Sequence, residues 1–121
     1  MSREIKFRVW NGHKFLDNNF AITNKGSIID IEDCLWNFED ENCVIQQYTG
    51  LKDKNEVEIY EGDIVKVGYG EHEGALGKAN FQYGSFMLTS KYGGNFMDTY
   101  RSCLYGEVIG NIFENPELLE S

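Results

Sequence analysis

Short extended stretches follow one another along this chain, with turn residues between them and too few residues in most gaps for crossover helices. Neighbouring parallel strands need a connection of a dozen or more residues, usually a helix, so the spacing argues against a doubly wound fold and predicts antiparallel pairing. Residues 4–10 set the pattern: Ile5, Phe7 and Val9 alternate with Lys6 and Arg8, the period of a half-buried strand. Asn11-Gly12 then supplies a favoured two-residue hairpin turn, because both positions tolerate positive φ. Residues 13–16 return as the second strand, and Asp17-Asn18-Asn19 breaks it.

The same reading runs to the end of the chain. Asn24-Lys25-Gly26 is a turn, 27–31 a short apolar run, and 32–42 the best place for a helical turn or two, with Leu35 and Phe38 three apart. Residues 43–49 predict a strand, 50–55 a polar loop, and Val57-Glu58-Ile59-Tyr60 a return to extended structure. Glu61-Gly62-Asp63 is a tight turn before a strand over 64–67. Residues 68–77, with four glycines and His72 between two glutamates, predict a mobile loop. Residues 78–83 and 85–89 form a hairpin about Gly84, 91–100 is irregular, and 105–113 is a last strand interrupted by Gly106 and Gly110. Asn115-Pro116 starts a terminal turn, which Asn can cap and in which Pro suits the first helical position. The expected fold is mainly β (β-rich α+β): a small SH3-like barrel or a sandwich, with an N-terminal β layer and one short helix. A single domain spans 1–121, with the N-terminal layer over 1–56 and the barrel-like part over 57–121.

Composition narrows the partners. A chain of 121 residues buries a core without staples. Twenty acidic against 11 basic residues give a formal charge of −9, a field that repels phosphate backbones and anionic membrane surfaces. Neither nucleic acid nor membrane is therefore expected as a partner. A small anionic ligand, which needs only a few local donors, and a protein with a basic face both stay open. Met1-Ser2-Arg3-Glu4-Ile5-Lys6 has no apolar signal region behind it, and no apolar run reaches membrane-spanning length. Cys34, Cys43 and Cys103 are odd in number and widely spaced, which reads as reduced thiols rather than a disulfide framework. The expected location is cytoplasmic.

Catalytic patterns are sparse. Only His13 and His72 are available as bases, and neither Ser nor Cys sits in a nucleophile signature. Glu71-His72-Glu73 has the wrong spacing for a helical zinc site and reads as a solvated acidic loop. The carboxylate groupings Glu39-Asp40-Glu41, Glu58 with Glu61, and Asp30 with Glu32 are what abundance alone produces. The chain is expected to be no enzyme and to hold no cofactor or metal. One segment suits a small anionic ligand: the N–H groups of Gly93 and Gly94, beside Asn95, can approach an anion, Tyr92, Phe96 and Tyr100 can stack on a base, and Arg101 can pair with a phosphate. The plainer reading is a surface loop whose aromatics help cover the core.

Three blocks carry a family resemblance. They are Arg3-Glu4-Ile5-Lys6-Phe7-Arg8-Val9-Trp10; Gln47-Tyr48-Thr49-Gly50-Leu51-Lys52-Asp53-Lys54-Asn55, continuing to Glu58-Ile59-Tyr60-Glu61-Gly62-Asp63-Ile64-Val65; and Val108-Ile109-Gly110-Asn111-Ile112-Phe113-Glu114-Asn115-Pro116-Glu117-Leu118-Leu119. In this order they resemble the YopX family of small phage and prophage proteins. The family tends to place a glycine after the central asparagine, where this chain has Glu56, so the turn must use another geometry or hold Asn55 alone at positive φ. The resemblance implies a β-rich fold and a phage or prophage origin, but no mechanism and no site residues. Physically, Gly50, Gly62 and Gly110 serve backbone geometry, and Ile59, Ile64, Val65, Val108, Ile109 and Ile112 serve the core. The polar loop about Thr49, Lys52, Asp53, Lys54, Asn55 and Glu56 is the candidate partner-binding surface, since loops often carry function.

These readings favour a non-catalytic phage or prophage accessory protein that binds a host protein in the bacterial cytoplasm. The alternative is an oligomeric protein that sequesters a small nucleotide signal in counter-defence, through Tyr92, Gly93, Gly94, Asn95, Phe96, Tyr100 and Arg101. An enzyme and a nucleic-acid binder rank behind both. Trp10, Trp36, Phe38 and Phe96 are more aromatic surface than so small a core readily covers, which favours a homo-oligomer.

Overall fold

The computed structural model describes residues 4–10, 12–16, 20–22, 24–25, 28–30, 44–68, 73–82, 84–89, 95–98 and 105–119, with the backbone alone at 28–30, 82 and 95–98. The elements are β1 (Phe7–Trp10), β2 (Phe20–Ile22), β3 (Ile28–Asp30), β4 (Val44–Lys52), β5 (Glu58–Tyr60), β6 (Asp63–Lys66), β7 (Leu76–Gln82), β8 (Ser85–Thr89), β9 (Asn95–Asp98), β10 (Glu107–Asn111) and a terminal 3-10 helix, Pro116–Leu119. They form sheets of order β10-β6-β7-β8-β9, β1-β4-β5 and β2-β3. The expected β-rich class holds. Residues 32–42, where the short helix was expected, lie outside the described residues.

Two expectations change. Among the described residues the five-stranded sheet is open, with β10 and β9 at its ends, so a closed barrel is not formed. A physical reason lies at β10, where Lys54 N–H donates to Gly106 O (3.1 Å) and Val108 N–H to the Asp53 carboxylate (2.8 Å), groups that a closing strand would need. Residues 95–98, expected to be irregular, form β9, because pairing with β8 (Leu88 opposite Met97, Thr89 opposite Asn95) supplies the order that local sequence does not.

Contacts divide the chain into two compact units, one of residues 1–6 and 47–121, the other of residues 7–46. In the first, Ile59, Val65, Val67, Ala79 and Leu88 form the buried core, with Leu51 and Val108 packed against it. Burying each of Ile59, Val65 and Leu88 contributes roughly 1.5–3 kcal/mol. Ile64 and Val65, neighbours on β6, are both fully buried, so this central strand is covered on both faces.

In the second unit Gly12 takes positive φ (101°), as its turn requires. The chain returns through a single bridge, Trp10 to Phe15, backed by Leu16 N–H donating to Val9 O (2.9 Å). The Trp10 and Phe15 rings meet edge-on, 5.0 Å apart. Arg8 lies over Phe15 at 4.4 Å and donates from Nε to Gln46 Oε1 (2.8 Å). Of the alternating trio only Val9 is buried; Phe7 is exposed, and so is Ile5, which precedes β1.

Candidate functional site

Between β4 and β5 the chain reverses over residues 53–57. Glu56 N–H donates to Asp53 O and Asp53 N–H to Val57 O, both at 2.9 Å. That is a turn followed by one residue in the left-handed region, the pattern of a three-residue hairpin loop. Glu56 holds the left-handed position, at φ 65°, and is the sole described non-glycine residue with positive φ. The strain therefore falls on Glu56 and not on Asn55. Glycine is the residue that takes this conformation without steric cost.

Asp53 explains why the geometry persists. Its side chain is buried, and a buried carboxylate is costly unless its oxygens are bonded. Oδ1 accepts from Asn55 N–H (2.8 Å) and Val57 N–H (2.9 Å), and Oδ2 accepts from Val108 N–H (2.8 Å) on β10. Lys54 N–H donates to Gly106 O (3.1 Å), and Lys54 Nζ stands 3.9 Å from Glu107. Thr49 is buried as well: Oγ1 donates to Ile59 O (2.7 Å) and accepts from Leu51 N–H (3.2 Å). The six partner-binding candidates thus divide. Thr49 and Asp53 are turned inward and build the loop, while Lys52, Lys54, Asn55 and Glu56 are exposed.

Beside β5, Lys6 pairs with Glu58 and with Glu4 (3.1 Å), and its Nζ lies 5.5 Å from the Tyr48 ring centre. The hydrogen bond to Glu58, then that to Glu4, raises the Lys6 pKa above the ordinary lysine range by favouring the ammonium form. Tyr48 and Tyr60 pack with centroids 5.4 Å apart. Glu61 accepts from Gln47 N–H (2.8 Å). Glu58 and Glu61, one of the carboxylate groupings, are therefore occupied separately.

The remaining candidates are placed only in part. Asn95 and Phe96 lie in β9; Tyr92, Gly93, Gly94, Tyr100 and Arg101 lie outside the described residues, as do His72 and all three cysteines. His13 is exposed. Among the described residues no group of three or more His, Cys, Asp or Glu could hold a metal ion, and no helix is long and apolar enough to cross a membrane.

The glycine-bearing motifs are structural. Gly50 and Gly62 have positive φ, and at Gly110 a Cβ would stand 2.5 Å from Asn115 Oδ1. Asn111 accepts through Oδ1 from Phe113 N–H (3.0 Å) and Glu114 N–H (2.9 Å), and Asn115 Oδ1 accepts from Asn111 N–H (3.2 Å). Asn115 was expected to cap the terminal turn forward; its side chain reaches back to Asn111 instead. Sequence reasoning also missed that Asp53 is internal. The spacing of Asp53 and Asn55, that of an Asx turn, was the available signal for the local bonds; nothing local announced Val108, 55 positions away.

No curated protein matches the chain. Among solved structures, protein EF1440 from Enterococcus faecalis is 33% identical and superposes with a TM-score of 0.72, over 98% of this chain and 100% of that one. Protein yopX from Bacillus subtilis, 23% identical with a TM-score of 0.67 over 95% of each chain, shares the fold. The YopX protein family model matches residues 6–120, taking in the second and third motif blocks whole and most of the first. The chain belongs to the YopX family.

Proposed function

We propose that this protein is a non-catalytic accessory protein of phage or prophage origin, that it works in the bacterial cytoplasm, and that it binds a host protein through the loop over residues 52–56. The observation that carries this reading is Glu56, a charged, exposed residue held at φ 65° in a loop fastened from beneath by a buried carboxylate. Strained backbone persists only where its surroundings over-determine it, and such positions cluster at functional sites. A loop already fixed loses little conformational freedom on binding, which favours affinity. Lys52, Lys54, Asn55 and Glu56 offer cationic, amide and anionic groups to one partner surface.

The test begins with capture from host lysate on immobilised protein and mass spectrometric identification of the partner. Titration calorimetry then compares the purified partner against wild type and against a triple variant, Lys54→Ala with Asn55→Ala and Glu56→Ala. Phe81→Ala, away from the loop, serves as the control. Binding at least tenfold weaker in the triple variant alone is the expected result; equal affinity in all three proteins rejects the loop as the contact surface. If no protein is captured and native mass spectrometry finds a retained small molecule, the sequestering alternative replaces this reading.

A further inference from the structure

The outer edge of the chain entering β1 carries an inference that stands apart from the partner loop. β1 ends its sheet, beside β4. Lys6 O accepts from Tyr48 N–H (2.8 Å) on β4, whereas Val9 O accepts from Leu16 N–H (2.9 Å) on the side away from β4. In extended chain the N–H and C=O groups of alternate residues point to opposite sides. Ile5 and Phe7, like Val9, therefore turn theirs away from β4. Among the described residues nothing bonds to those outward groups of Ile5 and Phe7. Such groups are the template onto which another strand can add. Leu16 closes the edge at Val9, so the open stretch ends at Phe7.

The side chains along this edge match a second copy of themselves. Ile5 (64%) and Phe7 (39%) are exposed and, two residues apart, share one face. Glu4 and Lys6 share the other, 3.1 Å apart. Antiparallel pairing about a twofold axis at Ile5 sets Ile5 opposite Ile5 and Glu4 opposite Lys6, the latter twice, so opposite charges meet and no like charges do. In this register the outward N–H and C=O of Ile5 bond to their counterparts, and the ladder runs to Phe7 on each strand without reaching Val9. The exposed Ile5 and Phe7 side chains of both copies are gathered on one face. A lysine ordinarily guards such an edge, but the Lys6 ammonium is held within the chain by Glu58 and Glu4.

We propose that the protein forms a twofold dimer by antiparallel pairing of residues 4–7 along this open edge, with Ile5 at the axis. The dimer leaves the loop over residues 52–56 out of its pairing register.

The test compares wild type with Ile5→Pro and Glu4→Lys by sedimentation velocity over a wide concentration range and by amide hydrogen exchange. Ile5→Pro removes an N–H that points outward, and proline is tolerated at such an edge position. Glu4→Lys turns both cross-strand charge pairs repulsive. Retained protection of β6 and β7 amides shows that a variant is folded. Expected are a wild type in concentration-dependent monomer–dimer exchange, with Ile5 and Phe7 amides that slow as concentration rises. Ile5→Pro should be monomeric at every concentration, and Glu4→Lys should dimerise roughly tenfold more weakly. A wild type that stays monomeric throughout overturns the proposal, as does an oligomer that folded Ile5→Pro leaves unchanged. If Ile5→Pro fails to fold, Ile5→Lys, which sets like charges against each other at the axis, decides by the same readout.

Discussion

Two hairpins of the first unit solve the same problem in opposite ways. The β4–β5 turn places Glu56 in the left-handed region, whereas the β7–β8 turn places Gly84 there, at φ 84°. Around Gly84 the stabilising contacts are local. Phe81 and Phe86 sit directly opposite each other with ring centroids 5.0 Å apart, and Phe81 is half exposed. Around Glu56 they are long-range, through Asp53 to β10. At the β7–β8 turn the left-handed position falls to glycine, the residue that bends without strain. A hairpin bonded to a distant strand tolerates a residue that resists the bend, because the surrounding bonds leave no relaxed alternative.

That contrast can be broken at its base. Asp53→Ala leaves two local N–H groups and one on β10 without their acceptor, and should cost about 3 kcal/mol, read from the urea midpoint at constant slope. A loss below about 1 kcal/mol would mean that the loop does not depend on its carboxylate. Thr49→Val removes the bond to Ile59 O with little change of shape and should cost about 1–2 kcal/mol in the same measurement. Gly84→Ala forces a side chain into left-handed backbone where the added carbon meets nothing within 4 Å; a loss of about 1 kcal/mol is expected from conformation alone. Glu56→Gly should act with the opposite sign, raising stability by up to about 1 kcal/mol by thermal or urea unfolding. If Glu56→Gly destabilises instead, the side chain of Glu56 contributes something that offsets its backbone strain.

Much of this architecture was legible because it is written locally. Gly12 and Gly84 marked their turns, and Asn115-Pro116 marked the terminal helix. Ile59, Ile64 and Val65 stood out as core and are fully buried. Ile109 and Ile112, read the same way, are only half-buried, since the end of a sheet is covered less than its middle. The candidate loop was legible as a surface but not as a mechanism. Thr49 and Asp53 look like exposed polar residues until the partners of their oxygens are known, and two of those partners lie on other strands. β9 was hidden for the same reason, since its order comes from β8 rather than from its own residues.

Tyr48 N–H donates to Lys6 O (2.8 Å), so the first unit brings together the two points where residues 7–46 leave it and re-enter it. In evolutionary terms the first unit has an insertion port. A segment whose ends meet at one spot can lengthen, shorten or be exchanged with little strain on the host sheet, because closing a longer loop adds entropy cost only slowly. Diversification within a lineage built this way would concentrate between the end of β1 and the start of β4, while the Asp53 clip and the paired strands stay fixed.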